Sequence, residues 1–212
     1  MQGRTYYEDP EYLRYLLSRE RHEIFSIQRI LDPIDWQSVE NLLDFGMGPG
    51  FFSAALLKRL PKDAWLWGSE CQETLIDRML KRRTDEGLER ITLFHTERTE
   101  HPLLPDWIPD PDIIFCSCVM STFADPSLAI SGIGRKLKND GYMYLLDWER
   151  IESPAGPPLV ARVSSKRMQY SIEEAGFEVY NEIELNEWLY YYQLRKTERA
   201  IEEKNRFSHL DY

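Results

Sequence analysis

The sequence predicts an α/β fold, in which helices cover both faces of a mostly parallel sheet. Three observations lead to this prediction. Short apolar runs alternate with helical patterns from residue 40 onward, a glycine-rich turn follows the first of these runs, and two adjacent strand patterns close the series after residue 176. Strict alternation of strand and helix is typical of right-handed crossovers, which make successive strands parallel.

The first helix and five strands can be placed in order. Residues 11–31 carry apolar side chains at helical spacing, which predicts one amphipathic helix that ends at Asp32-Pro33. Its charged residues are expected mostly on the solvent side: Arg14, Arg19, Glu20, Arg21 and Glu23. Buried strands are then predicted at residues 42–45, 64–68, 91–94, 112–116 and 142–146, with helices that run through Leu60, Arg83 and Lys138.

The last part of the chain departs from the alternation. A helix near residues 165–175 ends at Gly176. Strand patterns at 177–185 and 188–194 are joined by Asn186-Glu187, so they form a hairpin and one of them runs antiparallel to the rest. Because residues 188–192 are apolar without alternation, the second strand belongs inside the sheet. The highly charged residues 195–206 predict a solvated terminal helix.

Composition limits the classes of function. The 212 residues suit one domain, and 26 Lys and Arg against 36 Asp and Glu give a net charge of −10. This charge argues against general binding to nucleic acid or anionic membranes. The chain has three cysteines, too few for a disulfide framework, no run of 18 apolar residues, and an N-terminus unlike a signal peptide. We therefore expect a cytoplasmic protein without a membrane span or a nucleic-acid partner.

The most informative segment is the turn after the first strand, Asp44-Phe45-Gly46-Met47-Gly48-Pro49-Gly50. Its glycines let backbone amides approach a ligand at a helix N-terminus, beyond the carboxyl ends of the strands. A dinucleotide site has the pattern G-x-G-x-x-G, but here the pattern is G-x-G-x-G and Phe51 replaces the last glycine. An acid at position 44 is a poor neighbour for the pyrophosphate of a dinucleotide and would suit a ligand with a positive charge. The pattern therefore disfavours a nicotinamide-dependent oxidoreductase.

Two further segments fit a ligand in the same crevice. Glu70 ends the second strand, 20 residues after Gly50, about where an acid meets ribose hydroxyls. Its carboxylate can accept hydrogen bonds from both hydroxyls of a ribose. Residues 95–98 follow the third strand and could border a base. Together, at these spacings within one βαβ frame, the features are poorly explained by chance.

The chain resembles the class I S-adenosylmethionine-dependent methyltransferases over roughly residues 15–196. The resemblance is carried by Asp44–Phe52, Glu70, Pro111–Ile114, Gly134–Gly141 and the strand that follows. Within that class the chain is similar to the small group around the ubiquinone and menaquinone C-methyltransferases, some relatives of which share a segment like Gly156–Arg162. The resemblance implies a three-layer Rossmann-like methyltransferase fold plus an N-terminal helix. Its seven-stranded sheet is mostly parallel, with the last strand antiparallel beside the fifth.

The resemblance also implies a domain plan and a function. The plan is a single methyltransferase domain over residues 1–212, with an N-terminal helical cap at 1–38, a core at 39–196 and a charged tail at 197–212. The function is methyl transfer by in-line displacement from S-adenosylmethionine, the cofactor, to an unidentified small-molecule acceptor.

The resemblance assigns residues to the cofactor. Its methionine part would lie along the glycine turn, its amino end near Asp44 and its ribose on Glu70, with Cys71 against the adenine. Residues 97 and 98 would close over the adenine, and the end of the fourth strand would face the sulfonium. The implied cofactor residues are Asp44, Phe45, Gly46, Met47, Gly48, Gly50, Glu70, Cys71, Glu97, Arg98, Ser117 and Cys118. No metal ligand is implied.

Two departures from the family leave the catalytic residues unassigned. Many relatives have a histidine where this chain has Ser121, and Asn139-Asp140 replaces a Pro-Gly turn. General-base candidates that spacing does not separate are His95, His101, Glu149 and Tyr170. Acceptor contacts are expected in the N-terminal helix, in residues 102–111 and in residues 149–163, where Arg162 either clamps an anionic substrate or pairs with a carboxylate.

Three alternatives stay open. The missing histidine leaves room for a non-catalytic protein that binds S-adenosylmethionine as a partner or regulatory subunit. Cys116 and Cys118 alternate on a strand, so their thiols could share a face and hold arsenite for methylation, although a buried cysteine is commonly just a small apolar residue. Aromatic residues of the C-terminal hairpin could support a homodimer, and an internal strand explains them equally well.

Overall fold

A seven-stranded sheet forms the centre of the protein, in the order β3-β2-β1-β4-β5-β7-β6. The computed structural model describes residues 10–207, so the ends of the predicted cap and tail, 1–9 and 208–212, lie outside the described residues. Strand β7 is antiparallel to both of its neighbours, and every other pair is parallel. This confirms the predicted sheet, whose strands are β1 Asn41–Phe45, β2 Trp65–Glu70, β3 Ile91–His95, β4 Ile113–Ser117, β5 Tyr142–Trp148, β6 Phe177–Glu182 and β7 Leu189–Lys196.

Helices cover both faces of the sheet and enclose two apolar cores. Because side chains alternate along a strand, Leu42 packs in one core and Leu43 in the other. The first core is closed by the N-terminal helices, α4 and α5, and the second by α6 and α7. The helices are α1 Pro10–Tyr15, α2 Arg19–Ile24, α3 Ile27–Leu31, α4 Ser53–Arg59, α5 Glu73–Glu86, α6 Pro126–Gly134, α7 Ser165–Glu174 and α8 Glu198–Phe207.

The N-terminal segment differs from the prediction. It forms three short helices rather than one helix over residues 11–31. Ser18 starts the second of them as an N-cap, since its Oγ accepts a hydrogen bond from the Arg21 N–H at 3.3 Å. The break changes the helical phase, so Arg21 is buried instead of facing solvent.

The C-terminal hairpin matches the prediction in its inner strand. Tyr190 and Tyr192 pack in one core and Tyr191 in the other, which explains why this segment shows no polar alternation. The outer strand ends at Glu182, earlier than predicted, and a loop over residues 183–188 joins the two strands. Within residues 10–207, no helix is long and apolar enough to cross a membrane.

Candidate functional site

A cavity opens at the carboxyl ends of the central strands, at the point where the strand order reverses. Strands β2 and β4 flank β1 on opposite sides, so the loops that follow them diverge and leave a crevice between them. The N-terminal segment closes its outer side through Tyr12, Leu16 and Arg21. Of the cofactor residues expected from the sequence, all line this cavity except Gly50.

The three glycines of the turn have different surroundings, although all have left-handed backbone angles, with φ of 69°, 57° and 82° in chain order. A Cβ added to Gly48 would meet no atom within 4 Å, because this glycine borders open space in the cavity. A Cβ on Gly50 would lie 2.2 Å from the Met79 sulfur, and one on Gly46 would lie 2.5 Å from Val119. A glycine is therefore needed at position 50 because Met79 of α5 packs closely behind the turn. Gly50 does not line the cavity.

Glu70 joins the end of β2 to the glycine turn. Its Oε2 accepts a hydrogen bond from the Gly48 N–H at 3.0 Å. Its Oε1 accepts from the N–H groups of Cys71 at 2.8 Å and Gln72 at 3.0 Å. These bonds fix a nearly buried carboxylate at the cavity wall, about where the sequence places a ribose.

Asp44 is buried near the end of β1, and its carboxyl group has a pKa close to neutral pH. Burial raises its pKa from 3.8 to about 7, and the nearby Glu70 carboxylate adds to the rise. A hydrogen bond from the Ser53 Oγ, at 2.7 Å, and the positive charge of Arg21 oppose it. A cationic ligand group beside Asp44 would favour its ionised form.

Arg21 is a site residue that sequence reasoning missed. Its guanidinium carbon lies 4.3 Å from the centre of the Phe51 ring, and its Nη1 donates to the Leu16 carbonyl at 3.0 Å. The side chain is only 5% exposed and lines the cavity. The sequence signal that could have found it is Ser18, three residues earlier, whose capping role breaks the helix and turns Arg21 inward.

The two cysteines near β4 lie on opposite faces of the sheet, which corrects the arsenite hypothesis. Strand β4 ends at Ser117, and Cys118 takes a left-handed backbone conformation with φ of 56°. Cys116 packs in the second core while Cys118 packs against the first. Burial raises the pKa of both thiols, that of Cys118 to about 12. Among residues 10–207, no group of three or more His, Cys, Asp or Glu side chains could hold a metal ion.

None of the four candidate bases lines the cavity. The His95 Nε2 lies 3.1 Å from the Cys71 carbonyl, and the Glu149 carboxylate accepts from the Ser165 N–H at the start of α7. Tyr170 is 52% exposed on α7. The four side chains therefore lie outside the cavity that the expected cofactor residues line.

Ser121, which stands where many relatives have a histidine, stabilises the fold of this chain. Ser121 donates to the Asp147 carboxylate from both its N–H and its Oγ, each at 3.1 Å. Asp147 is fully buried, and burial raises its pKa to about 6. Asp147 thus anchors the turn after β4, a role that no sequence pattern indicated.

Arg162 is structural rather than a substrate clamp. Its guanidinium carbon lies 5.0 Å from the centre of the Trp148 ring, and the side chain is buried. All five N–H groups of the guanidinium have acceptors within its own loop: the carbonyl oxygens of Pro157, Glu149, Ile151 and Ala155 and the Oγ of Ser153. No donor is left for an anionic substrate.

Comparison with known proteins decides the family. A family model described as a methyltransferase domain matches residues 37–199, well over half of the chain. The chain belongs to the methyltransferase domain family. The protein is accordingly an S-adenosylmethionine-dependent methyltransferase, and S-adenosylmethionine is its cofactor. No curated protein sequence matches the methyltransferase significantly.

Solved structures share the fold of this methyltransferase at low sequence identity. A SAM-dependent methyltransferase from Aquifex aeolicus is 22% identical with a TM-score of 0.78, and the match covers 88% of this chain and 97% of that one. The O-methyltransferase NcsB1, solved with S-adenosylhomocysteine and 1,4-dihydroxy-2-naphthoic acid, is 17% identical with a TM-score of 0.65, covering 83% of this chain and 55% of that one.

A third neighbour shows that the fold alone does not fix the reaction. The [4+2]-cyclase SpnF is 14% identical with a TM-score of 0.64, and the match covers 81% of this chain and 80% of that one. The residues of the cavity are therefore the proper basis for any statement about the acceptor.

The cavity residues fit the cofactor. The open side of Gly48 leaves room for a ligand against the turn, and the Glu70 carboxylate is already oriented there. Asp44 offers a carboxyl group that a ligand cation would ionise. The buried Arg21 adds a positive charge, so the cavity carries groups of both signs, as a sulfonium amino acid requires.

Proposed function

We propose that this cavity transfers the methyl group of S-adenosylmethionine to a small-molecule acceptor. Support comes from the open Gly48 turn between Asp44 and the fixed Glu70 carboxylate. In this proposal Asp44 binds the cofactor's ammonium group, and Glu70 exchanges its bond to the turn for the ribose hydroxyls. Further contacts come from Phe45, Gly46 and Met47 along the methionine, from Cys71, Glu97 and Arg98 around the adenine, and from Ser117 and Cys118 near the sulfonium.

The residues of the cavity contribute mainly by positioning. The cofactor, when bound, supplies an electrophilic methyl group. Among the described residues that line the cavity there is no histidine, which suits an acceptor whose nucleophilic atom needs no strong base. Alignment of two bound reactants is worth roughly 7–11 kcal/mol of the barrier, so positioning supplies most of the acceleration.

We place the acceptor at the part of the cavity whose walls are largely apolar. The N-terminal segment contributes Tyr12 and Leu16, and the turn after β4 contributes Thr122 and Phe123. These walls suit a compact ring system, in agreement with the proposed relation to the quinone C-methyltransferases. The net charge of −10 gives an unfavourable field for nucleic acid, so we propose a small molecule as the acceptor.

Two glycines with equal backbone strain provide the test of this site. Gly48 and Gly87 have φ of 57° and 66°, and an added Cβ meets no atom within 4 Å at either position. Only Gly48 lines the cavity, so Gly48→Ala should weaken S-adenosylhomocysteine binding at least tenfold while Gly87→Ala leaves it unchanged. Isothermal titration calorimetry measures both, and equal affinities for the two variants would disprove the assigned site.

Turnover has to be measured separately from binding. Transfer of labelled methyl to members of a panel of phenols, quinols, amines and carboxylic acids is expected for at least one class of acceptor. Saturable cofactor binding with no product from any class would favour the non-catalytic alternative instead.

A further inference from the structure

Arg21 lines the cavity and has a hydrogen-bond donor without an acceptor among the described residues. The side chain is 95% buried, yet its Nε has no acceptor among the described residues. Leaving such a donor without a partner costs free energy, the more so for a charged group. Arg162, buried to a similar extent, has an acceptor for each of its five N–H groups. The contrast within one chain indicates that Arg21 awaits an acceptor from outside.

The surroundings of Arg21 define what this acceptor is. Its guanidinium lies on the face of Phe51, the residue directly after the glycine turn, and its charge acts on both Asp44 and Cys118. An acid and a base that share one end of a cavity match the two charged groups of an α-amino acid, which are attached to the same carbon atom. A guanidinium is well suited to a carboxylate, which can accept two of its N–H bonds.

We propose that Arg21 binds the α-carboxylate of the cofactor's amino-acid end, while Asp44 binds the neighbouring ammonium group. The inference rests on the proposed function and deepens it. Arg21 lies outside residues 37–199, so the family match assigns it no role. The N-terminal segment thereby supplies a cofactor ligand and is more than a cover for the acceptor.

A carboxylate on the acceptor would offer Arg21 the same chemistry, and the choice of ligands separates the two sources. S-adenosylhomocysteine has both charged groups, its decarboxylated analogue has only the amine, and methylthioadenosine has neither. The variant is Arg21→Met, which keeps an apolar chain on Phe51. The matched control is Arg19→Met, on the same helix but exposed.

The expected result is a loss specific to the carboxylate. Arg21→Met should weaken S-adenosylhomocysteine binding about 10- to 100-fold, since hydrogen bonds to charged groups are worth this much. It should leave the affinities for the decarboxylated analogue and methylthioadenosine within about twofold, and Arg19→Met should change none of the three. Titration calorimetry without any acceptor provides the readout, so turnover is not required.

The other outcomes of the titrations distinguish a failure of this inference from a failure of the proposed function. If wild-type protein binds S-adenosylhomocysteine and Arg21→Met binds it equally well, the inference is wrong and Arg21 serves the acceptor or the fold. If wild-type protein does not bind it, the proposed function itself fails. If Arg21→Met does not fold, wild-type protein must still bind the decarboxylated analogue at least tenfold more weakly than S-adenosylhomocysteine, and equal affinities would overturn the inference.

Discussion

At the scale of single residues, two sheet-associated aspartates show how surroundings set charge. Asp112 accepts hydrogen bonds from the Glu40 and Asn41 N–H groups and from Lys138, which together hold its pKa below 3.8 despite partial burial. Asp44 is more deeply buried and has the Ser53 hydroxyl as its closest donor, so burial prevails and its pKa rises to about 7. The first acid stabilises the fold, and the second lines the cavity, where we propose that it binds the ammonium group of the cofactor.

The raised pKa of Asp44 predicts a pH dependence. In the unfolded chain this carboxyl ionises near pH 3.8, but in the fold it stays protonated until about pH 7. Its contribution to stability is thus full below pH 3.8 and is lost as the pH rises to 7. Asp44→Asn should remove this part of the slope and make the ligand-free protein more stable than wild type at pH 8, by a few kcal/mol. Urea unfolding at pH 4, 6 and 8 measures it.

Proton release on binding gives an independent check of the same carboxyl. At pH 6 the ligand's ammonium group should force Asp44 to ionise, so S-adenosylhomocysteine binding should release close to one proton. The release should vanish in Asp44→Asn. Calorimetry in buffers of different ionisation enthalpy counts the protons, and an equal count in both proteins would contradict the assignment of Asp44 to the ammonium group.

At the scale of elements, the loop over residues 149–162 depends on one side chain. Four of the five bonds made by Arg162 go to backbone carbonyl oxygens of that loop, which has little secondary structure of its own. The N–H groups of the Arg162 guanidinium therefore supply these carbonyl oxygens with the hydrogen bonds that a helix or strand would otherwise provide. The prolines of this loop restrict the chain, and Arg162 fixes its path over Trp148.

Removal of Arg162 should destabilise the fold without changing the cofactor site. Arg162→Met removes the side-chain donors from the carbonyl oxygens of Pro157, Glu149 and Ile151, and we expect a loss of roughly 2–4 kcal/mol in the free energy of unfolding. Because Arg162 does not line the cavity, the affinity for S-adenosylhomocysteine should stay within about twofold. Arg150→Met, exposed in the same loop, is the control. If Arg162→Met lowers the affinity for S-adenosylhomocysteine without lowering the free energy of unfolding, Arg162 contacts the ligand and the structural role is wrong.

At the scale of the whole molecule, the cavity lies where separate parts of the chain meet. Residues from the N-terminal segment and from the ends of β1 to β4 line it, so a ligand that touches all of them links distant parts of the fold. The aromatic strand β7 does not provide an exposed surface, because Tyr190, Tyr191 and Tyr192 are buried within the chain. These tyrosines therefore give no support to the homodimer that the sequence left open.

A ligand that binds only the folded state should raise global stability by mass action. At about 100 times its dissociation constant, S-adenosylhomocysteine should add roughly 2.7 kcal/mol to the free energy of unfolding. For a chain of this size that corresponds to a rise of roughly 5–11 °C in Tm. Because Gly48→Ala should weaken binding at least tenfold, it should show no more than about half of the shift at the same ligand concentration. Urea and thermal unfolding provide the two measurements, and no shift in the wild type would contradict the site.

The sequence by itself determined the sheet and most of the predicted residues that line the cavity. The glycine turn, Asp44 and Glu70 occupy positions set by the ends of regular strands, so local spacing was enough to place them. Only the tertiary structure decided the places of Arg21, Gly50 and Cys118. Each of these follows a break in regular structure or meets a partner far along the chain, where side-chain direction depends on packing. For Gly50 that partner is Met79, and for Arg21 it is Phe51.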